Sequence, residues 1–424
     1  MTTAASTAIL EAYAKFGIHL GLARIQQLLA ALDNPHLQMP VIHIAGTNGK
    51  GSVCAYVSSI LQAAGYRVGR YISPHLVDWR ERITINGEWI TEDDLLAALA
   101  AVEAVIQPDQ EVPTQFEVST AAAWWYFARQ DIDIAVIETG LGGRLDATNV
   151  CPQPAITVIT SISRDHWQRL GDSLGQIASE KAGIMKAHCP IVVGTLPPDA
   201  ANVIEQKAES LDAPLIWVKV PILDPEEPQQ ILWHGQTYRI PLLGTHQRHN
   251  AAIALTVIEQ LRAQDWLIPD SAVREGLSQT TWAGRLQWVT YRDAQNQSHA
   301  LLLDGAHNVA GAELLREYVS QNFPAQPIRW VVGILNTKDQ AGILQALLQP
   351  QDHLFAVPVP DHATTAPEML CAISRDLLHT PAVAYANLRD GLTAALHDPL
   401  PTAAPVIVCG SLYLVGQLLA QIRH

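Results

Sequence analysis

Basic charge is the first thing this chain lacks: 27 lysines and arginines stand against 41 aspartates and glutamates, a formal net charge of −14. Such a surface repels a phosphate backbone, which excludes nucleic acid as a partner held by general attraction and leaves room only for a local basic pocket. Cysteine is scarce too. Cys54, Cys151, Cys189, Cys371 and Cys409 are odd in number, scattered and form no CxxC pair. That excludes a disulfide framework or a cysteine zinc site and suits a reducing compartment. Charged residues make up only 16%, yet no long polar or low-complexity tract goes with that figure, so global disorder is excluded as well. No apolar run reaches membrane-spanning length; Val406–Ala420 is broken by Gly410, Ser411, Tyr413, Gly416 and Gln417. The opening MTTAASTAILEAYAKFG has no basic stretch leading into an apolar core, so no secretory signal is read. The expectation is a soluble, cytoplasmic protein with neither membrane nor nucleic acid as partner.

What the chain does have is apolar material in quantity, 48% of its 424 residues, enough for two to three domains at roughly 150 residues each. Short β-branched runs alternate with helical segments, which predicts α/β layers on a mainly parallel sheet. Strands are expected at 41–46, Arg67–Ile72, Ile134–Thr139, Ala155–Ile162 and Ile191–Gly194, and helices at Asn48–Gly65, Ser173–Lys186 and His246–Gln264. Within Leu215–Leu243 the pattern changes, and alternation around His234-Gly235 predicts a small antiparallel hairpin. The polar stretch Tyr291–Ser298 reads as a linker, after which a second α/β series begins. The expected division is therefore 1–295 and 296–424, with a ligand site in the cleft between them.

One local signal is sharp. Gly46-Thr47-Asn48-Gly49-Lys50-Gly51-Ser52 lies between an expected strand and an expected helix. Glycines let successive N–H groups turn toward phosphate oxygens, the helix start adds partial positive charge, Lys50 adds a full one, and Ser52 offers a hydroxyl near a magnesium ion. In the strict phosphate-loop pattern Ser or Thr follows Lys directly; here Gly51 intervenes. The bland alternative is an ordinary glycine-rich turn.

HIAGTNGKGSV, SPHLVDWRERITINGEWI, ETGLGGRLDATNV, SRDHWQRLG, EKAGIMK, HQRHNAAIAL, AGRLQ, LDGAHN, TKD and GSLYL follow one another over nearly the whole chain. In that order they resemble the folylpolyglutamate synthase/dihydrofolate synthase family, within the ATP-dependent ligase superfamily of the Mur enzymes. The resemblance implies a phosphate-loop, Mur-ligase-like domain with a small antiparallel insertion, followed by a Rossmann-like α/β domain on the glutamate side of the cleft. It implies ligation of L-glutamate to a reduced folate, or to dihydropteroate, through an acyl phosphate, by a monomer using ATP, two magnesium ions and potassium.

The same resemblance distributes roles. Thr47, Asn48, Gly49, Lys50, Gly51, Ser52, Asn250, Arg285 and Asp304 would contact ATP. Ser52, Ser73, Glu138, His166 and a carbamylated Lys181 would hold metal, Asp165 orienting the His166 ring. Lys50, Lys181 and His307 would serve catalysis, with His307 and Lys338 binding glutamate or phosphate. Gly17, Ile18, His19, Leu20, Phe116, Glu117, Val118, Ser119, Leu145, Asp146 and Ala147 would form the pterin site. Taken without the resemblance, His166 is an exposed or structural histidine, Lys181 a solvated helix lysine, and His307 and Lys338 polar loop residues. The chain departs from the family at Thr139, where Val is usual, at Ala283, where Pro is usual, and at His19 and Ala23, where acidic residues are common. A Mur-type ligase is the alternative enzyme, disfavoured by LGGRLDATN and by the lack of a nucleotide-sugar domain. A non-catalytic nucleotide switch would need no second metal site.

Overall fold

The computed structural model describes residues 5–422 apart from Ile18, Pro108, Gln110, 224–226, Pro228 and Thr402. Two compact units emerge: Met1–Ser163 with Trp167–Pro241 and Gln247–Thr281, and Arg164–His166 with Leu242–His246 and Trp282–His424.

The first unit is built on eight strands: β1 (Val41–Ala45), β2 (Val68–Tyr71), β3 (Ile83–Ile85), β4 (Glu88–Trp89), β5 (Ile134–Glu138), β6 (Ile156–Ile159), β7 (Ile191–Val193) and β8 (Leu215–Trp217). Their order is β4-β3-β2-β5-β1-β6-β7-β8. β2, β5, β1, β6, β7 and β8 run parallel, while β3 and β4 add an antiparallel edge. β1 is buried at every residue, which is why its sequence is a continuous apolar run rather than an alternating one. Helix Lys50–Ala63 follows β1 and packs closely on helix Asp270–Gln279. Gly276 permits this, since a Cβ there would strike the Ile60 backbone, and Ser59 Oγ donates to Gly276 O at 2.7 Å. Trp124 is fully enclosed in one core cluster, as expected for an aromatic on a buried helix face.

A separate three-stranded antiparallel sheet holds β9 (Ile222–Leu223), β10 (Gln230–Trp233) and β11 (Gln236–Arg239). His234 and Gly235 both take positive φ, 47° and 79°, as a tight two-residue hairpin turn requires. The changed pattern begins later than the sequence suggested, because Leu215–Trp217 still belongs to the large sheet.

The second unit carries β12 (Gln287–Arg292), β13 (Ser298–Leu303), β14 (Arg329–Val332), β15 (His353–Ala356), β16 (Ala382–Ala384) and β17 (Val406–Cys409), ordered β12-β13-β17-β14-β15-β16. Only β12 is antiparallel to its neighbour. The stretch read as a linker, Tyr291–Ser298, is instead the end of β12, a turn and the start of β13. Asp293 Oδ1 accepts from the backbone of Gln295 and Gln297, and Asn296 adopts φ 61°. Polar composition there reflects a solvent-facing hairpin, and the break between units lies at Thr281/Trp282. All five cysteines are free and buried. Among the described residues no helix is long and apolar enough to cross a membrane.

Candidate active site

The phosphate loop leaves β1 at Gly46, whose φ of 153° and contact with the Thr160 hydroxyl leave no room for a side chain. The turn closes at Gly49, φ 87°, where a Cβ would stand 2.5 Å from Asn250 Oδ1. Gly49 is the N-cap of helix Lys50–Ala63; having no side chain, it leaves the first-turn N–H groups for a ligand.

The loop is held in shape by the end of β6, its parallel neighbour. Thr47 N donates to Ser161 O at 2.7 Å, and Asn48 N donates to Ser161 Oγ at 3.0 Å. Thr160 Oγ1 and Ser161 Oγ donate to Asn48 O at 2.7 and 3.0 Å, while Thr47 Oγ1 exchanges hydrogen bonds with the Ser163 backbone. Sequence reasoning missed Thr160, Ser161 and Ser163. Their signal was a run of small hydroxyl residues at the carboxyl end of a strand.

Lys50 Nζ stands 3.7 Å from Glu138 Oε1, at the end of β5, and donates to Thr47 O at 3.2 Å. Ser52 Oγ accepts from Gln247 Nε2 at 3.2 Å, and Gln247 in turn accepts from Asn250 Nδ2 at 3.1 Å. Ser52, Asn250, Glu138 and Lys50 are thus gathered at one sheet edge, with Gln247 an unforeseen link. Ser73 Oγ is buried and has no hydrogen-bond partner among the described residues.

Lys181 is not a solvated lysine: it is 5% exposed, and Nζ donates to Gly46 O at 2.7 Å. The GLGGRLDATN segment explains how it gets there. A Cβ at Gly183 would strike the Arg144 backbone, so a bare glycine lets the two segments pass. Arg144 then pairs with Glu180 Oε1 at 2.8 Å. Asn149 Nδ2 reaches Arg144 O and Gly183 O at 3.1 and 3.0 Å. The helix, expected to Lys186, ends at Ala182 with Gly183 as its C-cap.

Two of the three segments expected to form a pterin site meet at Gly21, whose N donates to Leu145 O at 3.3 Å. The third is joined through Arg24, which donates to both Glu117 oxygens, at 3.0 and 3.1 Å, and to His19 O at 2.8 Å. Glu117 also closes the capping box of helix Gln115–Arg129 with Thr114. Phe116 packs on Gly140, and Ser119 Oγ bonds Tyr71 OH at 3.0 Å. Val118 and Ala147 lie inside the core, Gly17, His19 and Leu20 are exposed, and Ile18 lies outside the described residues. Asp146 is enclosed; burial pushes its carboxyl up, opposed by hydrogen bonds from Leu141 N and Thr148. Thr148 spends its one hydroxyl proton on Asp146 Oδ1 at 2.5 Å, so His43 Nε2 must donate to Thr148 at 2.8 Å. Burial, and then the Lys186 charge, push His43 down to about 3, which keeps that ring neutral.

In the second unit, Asp304 accepts from Leu286 N and Ala306 N, each at 2.8 Å. Burial raises its carboxyl, while the Arg285 charge opposes. Arg285 itself donates to Gly284 O at 3.1 Å. Asp165, expected to orient the ring of His166, stands 3.9 Å from His166 Nε2 but 2.6 Å from Lys338 Nζ and 3.5 Å from His307 Nε2. Its chief side-chain partners are therefore Lys338 of TKD and His307 of LDGAHN.

Against known proteins, a model of the Mur ligase middle domain matches residues 44–258 and one of the dihydrofolate synthetase C-terminal domain matches 287–421. The dihydrofolate synthase/folylpolyglutamate synthase of Bacillus subtilis is 35% identical over 96% of each chain. The folylpolyglutamate synthase of Lacticaseibacillus casei is 35% identical over 95% of this chain and 94% of its own. The structure of Escherichia coli FolC in complex with DHPP and ADP superimposes with a TM-score of 0.85 at 31% identity, covering 100% of this chain and 99% of that one. The chain belongs to the folylpolyglutamate synthase/dihydrofolate synthase family of Mur-type ligases.

Proposed function

We propose that this chain is an ATP-dependent ligase that adds L-glutamate to reduced folates and also to dihydropteroate, giving dihydrofolate, and that it works as a cytoplasmic monomer. The observation that carries the reading is Lys50 beside Glu138 at the open start of helix Lys50–Ala63, in a chain matched end to end by enzymes of that name. A substrate carboxylate oxygen attacks the γ-phosphorus and ADP leaves. The glutamate nitrogen then attacks the acyl carbon, phosphate departs and an amide forms. Such transfer is mostly positioning and charge neutralisation.

The phosphate-loop N–H groups and Lys50 bind the phosphates, and the hydroxyl ties from Thr160–Ser163 keep them aimed. Asn250, Arg285 and Asp304 complete the proposed nucleotide contacts. The donors suit magnesium: a buried Ser73 hydroxyl with no partner among the described residues, the Ser52 hydroxyl and the Glu138 carboxylate are hard oxygens. When bound, the metal would offset negative charge on the phosphate oxygens. His166 and a carbamate on Lys181 would hold a second ion, and potassium completes the proposed set. The pterin lies on the Gly17–Leu20, Phe116–Ser119 and Leu145–Ala147 segments.

The test supplies purified protein with ATP, magnesium and L-glutamate, and either tetrahydrofolate or dihydropteroate. Mass spectrometry should find a glutamate added in both arms. Addition to tetrahydrofolate alone would remove the second activity, pointing to His19 and Ala23 as the pterin-side difference. No product in either arm would remove the folate reading.

A further inference from the structure

Asp165 lies in the short segment Arg164–His166, which packs as part of the second unit. Its side chain is 8% exposed, and both oxygens are used twice. Oδ1 accepts from Lys338 Nζ at 2.6 Å and from His166 N at 2.8 Å. Oδ2 accepts from Asn308 Nδ2 at 3.0 Å and faces His307 Nε2 at 3.5 Å. The partners arrive from separate places: His307 and Asn308 follow β13, and Lys338 follows β14. Both strands are parallel neighbours of β17, so these loops leave the carboxyl edge of the sheet, where ligands of open α/β sheets bind.

His307 and Asn308 are each fixed at a second point. His307 Nδ1 bonds Gly305 O at 2.8 Å, and Asn308 Oδ1 caps helix Val309–Asn322 by accepting from Gly311 N at 2.8 Å. His166 holds φ 50°, an uncommon conformation for a residue with a side chain, and its N–H is the group Asp165 Oδ1 accepts. Burial alone would raise the Asp165 carboxyl. The hydrogen bond and charge of His307, with the charges of Lys338 and His166, hold it well below the usual carboxylate range. The outcome is a graded set of nitrogens: Lys338 nearly enclosed, His307 26% exposed and His166 46% exposed.

We propose that Asp165 is a positioning residue for the ligase reaction, fixing Lys338 as an N–H donor to a carboxylate of the incoming amino acid, with His307 held beside it. This rests on the proposed function, in which that amino acid is L-glutamate. Asp165 does not touch substrate; it determines where Lys338 and His307 stand, and it anchors the His166 backbone through the same oxygen that holds Lys338.

The test is Asp165→Asn, which keeps size and removes charge. KM for L-glutamate should rise roughly 10- to 100-fold, the range for loss of a hydrogen bond to a charged group, while KM for ATP stays within about 2-fold. Lys338→Met should raise KM for glutamate similarly, and the double variant should be little worse than either single one, because the pair acts as a unit. An unchanged KM for glutamate in a folded Asp165→Asn variant overturns the proposal. So does a loss confined to KM for ATP, or full additivity in the double variant. If Asp165→Asn fails to fold, Lys338→Met carries the test through the same shift in KM for glutamate, and no shift overturns the proposal. Wild-type protein that consumes no glutamate would overturn the proposed function itself, an outcome separate from a wild type that works beside an unaffected variant.

Discussion

A Lys50→Ala variant loses at least about 100-fold in turnover, the scale seen when one preorganised charge-stabilising donor is removed, while its melting temperature moves by no more than about 4 °C. The separation follows from how the loop is built. Its conformation comes from Gly46 and Gly49 and from the hydrogen bonds of Thr47 and Asn48 to Thr160, Ser161 and Ser163, none of which uses the Lys50 side chain. That side chain is 16% exposed, and it interacts with Glu138 at 3.7 Å and Thr47 O at 3.2 Å. Phosphate release with saturating folate and glutamate measures the first quantity, and a thermal melt the second. Near-normal turnover in a folded variant would remove Lys50 from the chemistry.

Lys181→Ala should fall by a similar factor, on the order of 100-fold, and regain part of its activity when a short carboxylic acid such as propionate is added. The side chain is enclosed and ends against the carbonyl of Gly46, so truncation leaves a void beside the phosphate loop. A small acid can fill that void and return a carboxylate where a carbamate would stand. A plain ammonium at this site predicts the opposite, because an added anion then replaces nothing. Activity restored by propionate supports the carbamate; restoration by propylamine alone would count against it.

The parts of the fold visible in the sequence were those with strong local causes. β1 and the following helix were legible because a buried β-branched run meets a glycine turn, and the β10–β11 hairpin because His234-Gly235 suits positive φ at two successive residues. The β12–β13 hairpin was hidden. β12 alternates half-buried and exposed residues, and its turn is polar enough to read as a linker. In the site, residues identified from contiguous strings were gathered as strings: Ser52, Lys50 and Glu138 lie at one edge, and the three segments proposed for the pterin are joined through Gly21, Arg24 and Glu117. The supporting contacts were out of reach. Thr47 meets Ser163 across 116 positions and Asp165 meets Lys338 across 173, and no periodicity links residues so far apart. Asp165 was assigned to the histidine beside it because adjacency was the only relation the sequence displayed. Lys181 was open for the same reason: its burial depends on Gly183 admitting Arg144, which shows only once the two segments pack.

The five enclosed thiols give this protein silent clocks in both halves. Cys54, Cys151 and Cys189 lie in the first unit and Cys371 and Cys409 in the second. Burial pushes all five up, Cys151 to about 12, so the reactive thiolate is suppressed as well as shielded. A thiol-labelling reagent therefore reads only molecules that have opened locally, and each modified cysteine reports the unit in which opening occurred. Cys54 sits in the helix that starts at the phosphate loop, so comparing its labelling rate with and without ATP tests whether nucleotide steadies that helix. Cys371 and Cys409, within the core of the second unit, time that unit separately in the same tube.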